Sequence, residues 1–195
     1  MKYPINVKVA IFGIVLLVIL SKVGCFYLDK KYETYMRPWA FSSDPLKPLL
    51  VGKWGGSVID PDNRIHEVEM EIFLPTTDED RWNRMSSRQI KHDFSNTTYF
   101  DGIAVLKTNG SIDTCELWGG LEKADGFEIH FQLNPINDIH PPGFNLNLLN
   151  GTWHENTLNL TVDFAFFKTD GSSFYNSEDP RYDTKGILVL NRITN

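Results

Sequence analysis

The chain has 195 residues, 42% hydrophobic and 13% aromatic, which is enough apolar surface for one packed domain with an appendage, while two full domains would be crowded. A formal net charge of -6 sets the average surface field against phosphate backbones, so nucleic acid is not an expected partner. Two cysteines, Cys25 in an apolar stretch near the N-terminus and Cys115 far into the body, speak against a disulfide framework.

Residues 9–20 are apolar apart from Gly13 and follow Lys2 and Lys8, the charge-then-hydrophobe order of a signal sequence. Carried on to Leu28, the stretch reaches about 20 residues and can cross a bilayer if the Lys22 amine snorkels to an interface. Cleavage requires small residues before the cut, and only Val23-Gly24-Cys25 approaches that pattern. The expectation is a single-pass anchor over residues 9–28, with a cleaved signal peptide as the alternative. The short tail before it favours a body exported to the periplasm or cell exterior.

Residues 29–48 are charged and aromatic, and Pro38, Pro45 and Pro48 discourage a continuous helix, so this part reads as a tether between the 1–28 segment and a domain at 49–195. From there the pattern has period two. His66, Val68, Met70, Ile72 and Leu74 alternate with Glu67, Glu69 and Glu71, giving one core face and one solvated face. Residues 77–80 resemble a helix-capping sequence, and a short helix near 78–91 is predicted, along which Arg81, Arg84, Arg88 and Lys91 recur at three- and four-residue steps. That basic stripe is a candidate surface contact for anionic lipid or an acidic partner.

Further strands are expected at 98–107 and 111–118. Phe127, Ile129, Phe131 and Leu133 alternate with Glu128, His130 and Gln132. Residues 144–153 and 157–167 form a hairpin across His154-Glu155-Asn156, with Phe144, Leu146 and Leu148 facing the same interior as Leu158, Leu160, Val162, Phe164 and Phe166. With 50–59 and 186–193 the total is roughly eight strands. The fold class is therefore all-β, an antiparallel meander closing into a small barrel because closure removes exposed edges, with a two-sheet sandwich as the alternative.

The run Leu50-Val51-Gly52-Lys53-Trp54-Gly55-Gly56 resembles the G-x-W opening of the first strand in the calycin group, which includes lipocalins and fatty-acid-binding proteins. In that group the tryptophan closes one barrel end and a basic residue of the last strand packs across it. The resemblance therefore implies that Trp54 and Arg192 form such a closure. It also implies a ligand carrier, for which the inward candidates are Met70, Phe127, Phe131, Phe144, Phe164 and Phe166. A second Gly151-Thr152-Trp153 makes the motif non-unique, and the crowding of inward rings can equally fill the barrel.

The sequence carries no G-x-S-x-G elbow, P-loop, H-E-x-x-H or Cys-x-x-Cys pair, which speaks against an enzyme. No catalytic residue, metal or cofactor is expected. His66, His92, His130, His140 and His154 have no spacing that fixes ligands on one element, and Asp60-Pro61-Asp62-Asn63 lacks the glycine and distal glutamate of a calcium loop, so it reads as a polar turn. Cys115 has no adjacent cation and reads as packing. Sequons begin at Asn96, Asn109, Asn150 and Asn159 and matter only in a glycosylating pathway. The leading expectation is a membrane-tethered, non-enzymatic lipocalin-like domain that binds a small apolar ligand or serves as an envelope accessory protein. The alternative is a protein-interaction module such as an envelope-located inhibitor or immunity-type protein.

Overall fold

A computed structural model describes residues 7–75, 97–108, 110–136, 142–170, 172–174 and 180–194. The period-two segments form strands β1 (Gly52–Ile59), β2 (Ile65–Ile72), β3 (Tyr99–Thr108), β4 (Ser111–Leu121), β5 (Glu128–Pro135), β6 (Gly143–His154), β7 (Thr157–Phe167), the two-residue β8 (Ser173–Phe174) and β9 (Lys185–Arg192). Every pairing is antiparallel. Neighbours in sequence pair from β1 to β7, and β9 bonds to both β7 and β1, so the sheet closes into an eight-stranded barrel with β8 added at the end of β7. Closure satisfies both edges of each long strand and decides against the sandwich.

Alternation works as expected along β2, where His66, Val68, Met70 and Ile72 are buried and Glu67 and Glu69 face water. Glu69 meets Lys107 of β3 across the outer face at 2.7 Å. Along β6 a register shift between Leu146 and Leu148 changes the phase of the strand. Leu149, not the expected Leu148, then enters the core, and Leu148 is left 38% exposed.

Helix α1 (Val7–Met36) is long and apolar enough to cross a membrane or act as a signal, and none of its apolar window is buried. It runs eight residues past Leu28, because the first helix-breaking residue after the apolar stretch is Pro38. Nor is the rest of 29–48 a plain tether. Trp39 and Ala40 belong to the barrel core, Trp39 Nε1 donates to Thr97 O at 2.8 Å, and Leu50 N donates to Trp39 O at 2.8 Å. The chain thus enters the barrel at the end where β1 begins. The opposite, distal end holds the β1–β2 and β3–β4 turns. The short helix expected near 78–91, with Arg81, Arg84, Arg88 and Lys91, lies outside the described residues, as do His92 and His140.

Candidate functional site

At the α1 end, Trp54 on β1 sits opposite Arg192 on β9 in the strand register. The Arg192 guanidinium carbon lies 4.4 Å from the centre of the Trp54 ring. Trp54 is fully buried and its Nε1 donates to Leu50 O at 2.9 Å. Arg192 Nη1 donates to Val51 O at 2.9 Å and Nε to Asn156 Oδ1 at 3.0 Å. Burial disfavours the charged guanidinium and lowers the Arg192 pKa from its usual value. The second tryptophan, Trp153, is also buried and bonds through Nε1 to Glu155 O at 2.8 Å in the next turn, so both indoles plug the same end.

At the distal end a polar cluster stands where isolated histidines had been expected. Asp60 and His66 are both buried, and the His66 Nε2 to Asp60 Oδ2 distance is 3.0 Å. Since a carboxylate only accepts, Nε2 is the donor. The other ring nitrogen, Nδ1, lies 2.8 Å from Thr108 Oγ1. Asp60 also accepts from Arg64 Nε at 2.7 Å and, through Oδ1, from the backbone N–H groups of Asp62 and Arg64. Burial alone would raise the Asp60 pKa, but the bonds from His66 and Arg64 outweigh it and hold it below its ordinary value. A cavity of about 230 Å³ lies beside the cluster, framed by Arg64, His66, Thr108, Ser111, Pro142, Phe144 and Asn145. Hydroxyl, imidazole and carboxylate stand in the order of a nucleophile relay. Here, however, Asp60 holds four donors of its own turn and strand, and what those bonds accomplish is to fix the β1–β2 connection.

The six inward candidates separate. Met70, Phe131, Phe144 and Phe164 are buried in one continuous core, Phe166 is partly buried against it, and Phe127 lies outside it at 55% exposed. Phe127 precedes the first residue of β5, so the alternation that places Ile129, Phe131 and Leu133 inside does not extend to it. It stacks instead on His154, with ring centres 5.1 Å apart. The inner rings fill space against one another: Phe144 meets Phe166 at 5.1 Å and Phe164 at 6.4 Å, and Phe100 meets Phe131 at 6.3 Å. Cys115 is part of this packing, and burial, followed by the charge of Asp113, pushes its thiol up to about 11, which leaves it unreactive.

A second cavity of about 230 Å³ opens on the outer side of β3 to β6. Its walls are the outward row Asp101, Trp118, Gln132 and Leu148, which are successive cross-strand partners, together with Tyr99, His130 and Asn134. Its floor reaches Gly119 and the rings of Phe100 and Phe131. Two adjacent glycines in β4 create this arrangement. A side chain at Gly119 would meet Phe131 Cβ at 2.5 Å, and one at Gly120 would meet the Tyr99 ring at 2.9 Å, so aromatic residues of the flanking strands close over a bare strand on both faces. Of these residues the sequence offered only Phe131 as a ligand-site candidate; His130 and Gln132 stood on the outer face of a strand and Leu148 was expected inside. The available signal was Trp118-Gly119-Gly120, a glycine pair inside a strand pattern, which marks close approach by a neighbour. Among the described residues no three His, Cys, Asp or Glu side chains converge as metal ligands.

No family model matches the chain, and no curated protein sequence matches it. Two solved structures are similar in overall arrangement. EF1p2_mFAP2b bound to DFHBI matches with a TM-score of 0.45 and 10% identity over 74% of this chain and 94% of that one. A fluorescence-activating β-barrel designed de novo matches with a TM-score of 0.39 and 10% identity over 73% of this chain and 93% of that one.

Proposed function

We propose that this chain is a membrane-tethered, calycin-like barrel that binds a small apolar molecule, and that the binding place is the outer cleft of β3 to β6. The calycin-like reading draws support from the Trp54–Arg192 stack at the α1 end. Tethering draws support from the length and apolar character of α1. Ligand binding rests on one observation, the cleft itself. It combines the apolar surfaces of Trp118, Tyr99, Phe131 and Leu148 with a few converging polar groups, Asp101, His130 and Gln132, which is the usual make-up of a small-molecule site. A core cavity of roughly 150 Å³ is enough for benzene, so about 230 Å³ suits a planar compound of one or two rings. The inward rings, by contrast, are engaged in packing.

Native mass spectrometry of the full chain from its own source tests this reading. The expected result is a retained small molecule that is lost in Leu148→Trp, where a larger side chain fills the cleft from a half-exposed position without disturbing the core. Absence of any adduct, together with no change in tryptophan fluorescence across a panel of planar aromatic compounds, would overturn it. Recovery of a partner protein instead would favour an interaction module.

A further inference from the structure

The barrel end that receives α1 carries apolar side chains that the fold leaves in the open. Leu46, between Pro45 and Pro48, is 89% exposed, and Phe127, in the β4–β5 turn, is 55% exposed. Ile193, just past β9, is exposed as well and donates its N–H to Lys53 O at the start of β1. The three belong to one rim. Leu46 borders an open cavity of about 460 Å³ together with Glu155, Asn156 and Arg192, and Phe127 stacks on His154, the last β6 residue before the Glu155-Asn156 turn.

This rim is also where the chain arrives from α1, since Trp39 enters the core and pairs its carbonyl with Leu50 there. Residues 29–36 are helical and cover about 12 Å at 1.5 Å per residue. A headgroup layer is about 5 to 8 Å deep on each side of the hydrocarbon. If residues 9–28 span the bilayer, the rim is therefore held within a few ångströms of lipid. Its charges are mixed, Lys47, Glu155 and Arg192 lining that cavity and Glu122 and Glu128 flanking the β4–β5 connection that holds Phe127, so apolar contact and not charge attraction suits it.

We propose that this rim docks on the bilayer that holds α1, with Leu46 and Phe127 entering the interfacial layer of the phospholipid. Leucine and phenylalanine are side chains that gain from burial at the headgroup–acyl boundary. The Phe127 ring then presents an apolar face to lipid while His154 remains at the wet side. The inference rests on the membrane-tethered reading and is separable from it.

The test uses the full chain carrying Cys25→Ser, reconstituted in phosphatidylcholine nanodiscs, with nitroxide labels placed singly through Leu46→Cys, Phe127→Cys or Ile112→Cys. Ile112 is an exposed control at the distal end, the second residue of β4. Docking predicts that the ratio of oxygen to nickel-chelate collision rates at 46 and 127 exceeds that at 112 by about fivefold or more, because oxygen enriches and the chelate is depleted near acyl chains. Equal ratios at all three positions, in a chain that stays in the membrane after alkaline washing, overturn the docking and leave the anchor standing. Release of the chain by the wash overturns the anchor and the docking together.

Discussion

Trp54 and Arg192 show how unequal two partners in one contact can be. Emptying a buried indole site costs about 3 to 5 kcal/mol, whereas a guanidinium over an indole contributes about 0.5 to 2 kcal/mol. Trp54→Ala is expected to destabilise the barrel more than Arg192→Ala, and the double variant should be less damaging than the sum, as read from urea midpoints. Strict additivity would mean that the 4.4 Å stack carries no coupling. Asp60 gives a second expectation. Its pKa in the folded barrel lies below the ordinary 3.8, so its ionised form contributes stability that is fully present above that value and is lost as the pH falls through the folded pKa. Asp60→Asn should therefore flatten the acid limb of a plot of urea midpoint against pH. Parallel acid limbs for both proteins would remove Asp60 from the account. The sequence identified both residues, but in different depth: Arg192 by its place near the C-terminus, Asp60 only as part of a polar turn. Its partner His66 sat on an alternating apolar face, and the carboxylate that satisfies it lies across a tight turn that alternation does not describe.

The strands were legible where burial is strictly one-sided, as in β2 and along β5 from Glu128 to Leu133. The pattern failed where geometry departs from a flat ribbon. The shift between Leu146 and Leu148 inverts the facing of the next residue, and a run of Asn and Leu gives no warning of it. The cleft depends on what β4 lacks, which is hard to see in a pattern built on what is present. Gly119→Ala would place a methyl group 2.6 Å from His130 O and 2.5 Å from Phe131 Cβ. Overpacking of this kind costs about 1 to 3 kcal/mol, and thermal melting should show a clear loss relative to Gly110→Ser, whose strain lies in an open hairpin turn. The end of α1 tests the domain boundary. A chain beginning at Arg37 keeps Trp39 in the core, whereas one beginning at Leu46 loses it, and the shorter chain should unfold at lower urea by an amount corresponding to about 3 to 5 kcal/mol. Equal midpoints would return residues 37–45 to the role of a spacer.

For the whole molecule, the anchor reading predicts that the full-length chain stays with membranes through alkaline extraction, while a chain lacking residues 1–36 is released; loss of the full-length chain to the wash would reject it. The manner of closure has a further consequence, for the timing of biogenesis. The first strand finds its second neighbour only in β9, about 140 residues later, so the seam of the barrel is among the most non-local pairings the chain can make. At a synthesis rate of about 5 to 20 residues per second, β1 waits roughly 7 to 28 s for the partner that seals it. During that interval α1, which is long and apolar enough to cross a membrane or act as a signal, is already complete. An opening strand that stays unsealed keeps the chain threadable, so the same β1–β9 seam that gives the mature barrel its lack of edges also postpones closure until β9 has been made.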